Sequence, residues 1–414
     1  MTIESKSKML TKKQRLVGFD LTLVLHKVLA NTKQKLMRML PLLCLGSLSI
    51  FLLACLEVAD ERAKQEALIG SQTKDNISIS VEGGLASIRH LEVSTNKVKL
   101  HLWVQAPEVN IHLQRAEQSP QQEIELQISN VLNGSTLFIQ ERDDDKVVAS
   151  NEISTNFPSP TVITTQWVTT NTHLNIDLKA PQPEAGQPWQ FAVFADVQER
   201  IDGLADLLIP LGKEEVRFAL ISGDLTSMGK RHELEEFQAE MLRHLPFPCY
   251  ATLGNHELGT EGIPFYYYFG RGSFNFTYGG AMFSLVDGAS ATLAESTENA
   301  LDSWLDEGRS LLHIFVTHIP LIDPDGTRGG AFASRLKAAK LLSKLKEYAV
   351  DQLIYGHVHT YRNFFQASIP AVISGGGGSI PMRLDGIGRH YLIFNVLPAM
   401  QQITHRVQRV YPEE

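Results

Sequence analysis

Cysteine is scarce in this 414-residue chain: only Cys44, Cys55 and Cys249 occur. The first two lie in or at the end of one apolar stretch, which leaves Cys249 alone and excludes an internal disulfide framework. In Pro248-Cys249-Tyr250 it reads as a small buried hydrophobe. Long apolar runs are as rare, one near the N-terminus being the exception, so a polytopic membrane protein is excluded. Basic charge is short after residue 54. The first 54 residues hold nine of the 38 Lys+Arg and two of the 46 Asp+Glu, leaving 29 basic against 44 acidic in the body, a net charge of −15. That balance argues against nucleic acid as the partner, because binding a phosphate backbone calls for a basic face. What remains is ordinary globular composition, 43% hydrophobic and 20% charged, long enough for two domains plus a small terminal segment.

From Met39 to Leu56 no charged residue and no His interrupts 18 positions, and Lys33, Lys35 and Arg38 precede the stretch. Basic then apolar is the order of a secretory signal. Its end, Leu52-Leu53-Ala54-Cys55, resembles the bacterial lipoprotein box, with Leu53 departing from the smaller residue usual there. An uncleaved membrane anchor and a buried core helix are the alternatives. The lipoprotein and anchor readings imply an exported, membrane-anchored protein of the periplasm or cell envelope. On this reading residues 1–55 are the export segment and 56–75 a tether.

Residues 76–179 alternate polar with apolar or β-branched side chains, as in Glu123-Ile124-Glu125-Leu126-Gln127-Ile128, and predict antiparallel strands in an all-β sandwich. No catalytic spacing appears there. His90, His101, His112 and His173 are scattered, and Asp143-Asp144-Asp145 reads as a hairpin tip. Residues 180–188, with three prolines and a glycine, predict a linker. Beyond it, in 189–414, short apolar runs alternate with helical periodicities, the pattern of an α/β domain.

In that second body metal-capable residues follow apolar runs. Asp196 follows Phe191–Phe194, Asp224 follows Phe218–Ile221, Asn255 and His256 follow Ala251–Leu253, His318 follows Ile314–Val316, and His357 and His359 follow Leu353–Tyr355. The carboxyl ends of strands in an open α/β sheet form the crevice where ligands bind, so distant positions can converge. His313, five residues before His318, falls on the opposite strand face and is not expected to ligate. His232-Glu233 and His256-Glu257 lack the second His of a zinc-protease helix. Arg271 and Arg328 sit in glycine-flanked loops as candidates to clamp phosphate, and Gly375–Gly378 either brings bare backbone near a substrate or makes a strand-end turn.

Asp196-Val197-Gln198, Gly223-Asp224, Gly254-Asn255-His256-Glu257, Thr317-His318 and Gly356-His357-Val358-His359 resemble, in order, the blocks of the calcineurin-like metallophosphoesterase family. The resemblance covers roughly residues 189–410. It implies a four-layer α/β fold, helices flanking two packed sheets, and hydrolysis of phosphate esters, small molecules or phosphorylated substrates, by a water activated between two metal ions (Mn, Fe or Zn). It further implies that Asp196, Asp224 and His359 hold one ion, that Asp224, Asn255, His318 and His357 hold the other, and that His256 faces the leaving group. The donors suit that role: a carboxylate has two oxygens for bridging, Asn a neutral carbonyl, and imidazoles suit iron, manganese or zinc. Gln198 stands where most members have His, and it enters the expected ligand set through its amide oxygen. Ser227 occupies the position three after Asp224 where a purple acid phosphatase type of site has Tyr. The alternative is a non-catalytic exported binding protein on a degenerate scaffold, supported only by Gln198.

Overall fold

A computed structural model describes residues 59–411 except 117–119, 144–145, 325, 327–329 and 383–385. The apolar stretch 39–56, Cys44, Cys55 and Arg328 lie outside the described residues. The described residues make one compact unit. Among the described residues no helix is long and apolar enough to cross a membrane.

From residue 59 on, the segment expected to be a tether is part of the folded body. Residues 59–66 are helical and Ser71–Lys74 is a strand. Arg62 is buried in a two-pronged contact with Asp287 (2.7 and 3.0 Å), and Glu66 accepts the backbone N–H of Gly272 at 2.9 Å. These partners lie more than 200 residues away, so a local reading of a charged stretch had nothing with which to predict burial.

Two sheets are built before residue 180. One runs in the order Ser71–Lys74, Ile77–Val81, Val109–Arg115, His173–Lys179, Thr136–Asp143, Lys146–Ile153. The other runs Ala86–Val93, Lys97–Val104, Gln122–Ser129, Val162–Thr169, Asn156–Ser159. Alternation does what it predicts: in Gln122–Ser129 every second residue is buried. One pairing differs from the all-antiparallel expectation. Lys97–Val104 and Gln122–Ser129 are parallel, because the chain crosses to Val109–Arg115 in the opposite sheet and returns to run the same way.

After Trp189 the chain builds two further sheets. The first has the order Cys249–Ala251, Ala219–Ile221, Trp189–Phe194, His390–Leu397, Gln402–Arg409, parallel among its first three strands. The second has the order Phe274–Tyr278, Ala281–Val286, Leu312–Thr317, Gln352–Tyr355, Ile369–Ser374, Tyr361–Gln366, parallel except at its two edges. Between them lies an aromatic core in which Phe191 stacks on Phe394 at 5.0 Å and Phe276 on Phe283 at 4.9 Å. Fully burying such a ring contributes about 1.5–3 kcal/mol. Helices Ala205–Leu211 and Arg231–His244 set Leu207, Leu208, Leu234 and Phe237 into a core with Phe194 and Ile221, on the far side of the first sheet. Helices Glu295–Glu307 and Arg335–Glu347 set Leu301, Leu305, Leu342 and Leu345 beside Phe315 and Leu353 of the second. Helix, sheet, sheet, helix is the expected four-layer arrangement.

The sheets before residue 180 dock onto this body through polar side chains that satisfy backbone. Asn130 donates to the carbonyls of Val104 and Cys249 and accepts the Cys249 N–H, each within 2.9 Å. Gln105 pairs in the same way with the N–H and C=O of Arg271.

Candidate metal centre

Each candidate ligand sits just past a parallel strand because the strands, Gln190, His313 and Gln352 apart, are apolar and buried, leaving the first turn after each strand as the readiest place for a cluster of polar side chains. Four of these turn residues have left-handed backbone: Asp196 (φ 61°), Gln198 (49°), Asp224 (54°) and His357 (66°). Non-glycine residues there cost on the order of 1–3 kcal/mol each and persist only where the surroundings hold them. Here carboxylates take up the backbone of neighbouring turns. Asp196 Oδ2 accepts the His357 N–H at 2.8 Å, and Asp224 Oδ1 accepts the His256 N–H at 2.9 Å. Gly254 permits the packing, since a Cβ there would lie 2.2 Å from Asp224.

Asp224 is the hub. Its Oδ2 lies 3.2 Å from His318 Nε2 and 3.8 Å from His256 Nε2, and one ligand atom each of Asp224, His318 and His357 all lie within 4.8 Å of one another. His318 Nδ1 donates to the Ser222 carbonyl at 2.7 Å, which turns Nε2 toward Asp224 and toward Asn255 Oδ1 at 3.1 Å. Burial alone would lower the imidazole's pKa, but the Asp224 carboxylate outweighs it and holds His318 up to about 9. Reciprocally, burial raises Asp224 and the imidazole overrides it, leaving the carboxyl below its usual range.

On the other side of Asp224, His359 Nδ1 donates to the Ile380 carbonyl at 2.8 Å, and its Nε2 stands 3.4 Å from Asp196 Oδ1. That oxygen is buried and has no hydrogen-bond partner, a costly state for a carboxylate and the one a cation would relieve. The oxygen and imidazole donors therefore fit metal ions on both sides of Asp224, with one exception.

The exception is Gln198, whose amide is turned the other way from the expected orientation. Its Nε2 donates to Asp224 Oδ2 at 2.8 Å, while its Oε1 accepts the Ser379 hydroxyl at 2.8 Å. The carboxylate can only accept and so takes the donor end, while the serine hydroxyl, able to donate, meets the acceptor end.

His256 lies beside this centre, half-buried, with Nδ1 donating to the Ser227 carbonyl at 2.7 Å and Nε2 left facing Asp224. Two contributors were not read from the sequence as site residues. Glu257 is wholly buried and accepts the N–H groups of Asp224, Gly254 and Thr226 at 2.9–3.1 Å, tying two ligand-bearing turns together. Burial, and then the Asp224 charge, push its carboxyl up to about 7. Its only signal was its place in Gly254-Asn255-His256-Glu257. Ser379, which ends the glycine run, had none.

Other candidates are placed elsewhere. Arg271 donates to the Ile69 carbonyl at 3.1 Å and is held by the segment after the first helix, so it is no phosphate clamp. His313 is buried on the face away from His318 and meets Ser284 Oγ at 2.9 Å. In the glycine run, Gly375 and Gly377 donate backbone N–H to Thr360 and Ala195, packing the turn of Asp196 against that of His359 rather than meeting a substrate.

Residues 190–361 match the calcineurin-like phosphoesterase family. The matched span contains every candidate ligand above, while Ser379 and strands His390–Leu397 and Gln402–Arg409 follow it. No curated protein matches the chain. Among solved structures it is similar to a purple acid phosphatase from yellow lupin seeds, at 14% identity and TM-score 0.48 over 73% of this chain and 70% of that one. It is also similar to PhoD, at 12% identity and TM-score 0.44 over 73% and 87%, and to a dimetal phosphatase from Danio rerio, at 14% and 0.39 over 54% and 99%.

Proposed function

We propose that this phosphoesterase domain hydrolyses phosphate esters, with Asp224, Asn255, His318 and His357 holding one metal ion and Asp196, Asp224 and His359 a second. The carrying observation is the convergence of Asp224, His318 and His357 within 4.8 Å from three different strand ends. Bound divalent ions supply Lewis acidity toward phosphate oxygens and lower the pKa of a water. The chain's own residues do the rest. Ser222 and Ile380 carbonyls fix the His318 and His359 tautomers so that each presents Nε2 to the centre. Glu257 keeps the Asp224 and Gly254 turns in register. His256, its Nδ1 proton engaged by Ser227, has Nε2 free to carry a proton to a leaving-group oxygen when protonated.

Steady hydrolysis of p-nitrophenyl phosphate or its bis-ester by protein loaded with Mn²⁺, Zn²⁺ or Fe²⁺, lost in Asp224→Asn, is the expected result. No turnover with any of these ions from about pH 5 to 9, where such groups titrate, would overturn the reading. We also propose export and attachment through Cys55, supported by the basic-then-apolar order before it. Labelled palmitate should enter the full chain and not Cys55→Ser; no label in the parent chain would refute the attachment.

A further inference from the structure

Gln198 is 4% exposed, and both ends of its amide are engaged. Its NH₂ group spans two of the atoms expected to hold the second ion, Asp224 Oδ2 at 2.8 Å and His359 Nε2 at 3.2 Å. Because His359 Nδ1 donates to the Ile380 carbonyl, that Nε2 is an acceptor, so both amide protons go to would-be ligands. An amide nitrogen has no lone pair to offer a cation. Ser379 holds it there. Its hydroxyl donates to Gln198 Oε1 at 2.8 Å and lies 3.0 Å from His359 Nδ1, and its backbone N–H donates to the Asp196 carbonyl at 2.9 Å. One serine thus touches Gln198, His359 and Asp196. Turning the amide over would face Oε1 to the Asp224 carboxylate and to the His359 Nε2 lone pair, an acceptor against two acceptors, so these two groups fix its orientation.

We propose that Gln198, held by the positioning residue Ser379, occupies the space between Asp224 and His359 as a neutral stand-in for a cation, leaving Asp196 Oδ1 without a partner. The protein therefore loads one ion firmly and a second only by displacing the amide. The inference rests on the phosphoesterase reading of the site.

The test is a Mn²⁺ titration of the metal-free full chain, followed by calorimetry, by metal analysis after dialysis, and by the electron paramagnetic resonance signature of a spin-coupled manganese pair. The expected result is one retained ion and a second bound at least about tenfold more weakly, the worth of one hydrogen bond. Ser379→Ala should tighten the second ion up to about tenfold on the same scale. Gln198→His should retain two ions and give the coupled signal, with thermal unfolding showing both variants folded. Two ions of equal affinity in the parent chain, or a second affinity unmoved in both variants, would overturn the proposal alone. Failure to bind even one ion would overturn it together with the phosphoesterase reading.

Discussion

Strand Gln122–Ser129 buries every second side chain, whereas Leu312–Thr317 buries all six. The first lies in a sheet with one face on a core. The second is covered on one face by another sheet and on the other by helices, so its backbone meets solvent only at its ends. A sheet closed on both faces concentrates polar chemistry at strand ends, and there Asp196, Asp224, Asn255, His318, His357 and His359 stand. Histidine shows the contrast in one residue type: His101 lies on a sandwich strand, half-buried beside His90 at 5.4 Å, while His318 is wholly buried and fixed at both ring nitrogens.

The sharpest break of this comparison is to remove a histidine from each region. His256→Ala should lower kcat by about 10²- to 10⁴-fold, the worth of a positioned proton donor, whereas His101→Ala should leave kcat unchanged. A comparable loss in both would erase the distinction.

Acid should separate buried from surface histidine next. Burial pushes His313 down to about 4 from 6.5. The neutral ring is therefore favoured in the folded state, so its contribution is whole above pH 6.5 and is lost as pH falls through about 4. That loss is on the order of 3 kcal/mol. Urea midpoints between pH 7 and 4 should fall less steeply in His313→Gln, and equal slopes would contradict the assignment.

Glu257→Gln should weaken metal affinity by about 10- to 100-fold in a chelator competition, because the amide presents an N–H₂ donor to backbone N–H groups that now find a carboxylate. The smallest effect is expected where the two regions meet. Asn130→Ala strands the Cys249 N–H and C=O and should cost about 1–3 kcal/mol of stability while leaving kcat unchanged. A fall in kcat there would mean that the sandwich helps to shape the centre.

Much of this was legible because burial writes itself into spacing. Alternation marks Glu123–Ile128, continuous apolar runs mark Ile314–Val316, and the polar residue that ends each run marks the rim. What escaped was set by partners distant in sequence. Residues 59–66 read as a tether because two of their three buried members are Arg62 and Glu66, made tolerable by Asp287, Ser290, Gly272 and Ser273. The parallel pair Lys97–Val104 and Gln122–Ser129 depends on which sheet takes the strand between them, a choice made by packing. Gln198 lies beside Asp224, but its partner at the other end of the amide, Ser379, stands 181 residues later and carries no local signal.

The most direct measurement is an anomalous difference map from crystals of the protein grown with Mn²⁺. A peak enclosed by Asp224, Asn255, His318 and His357 is the predicted result. Manganese bound elsewhere, with these four side chains free of it, would contradict the account.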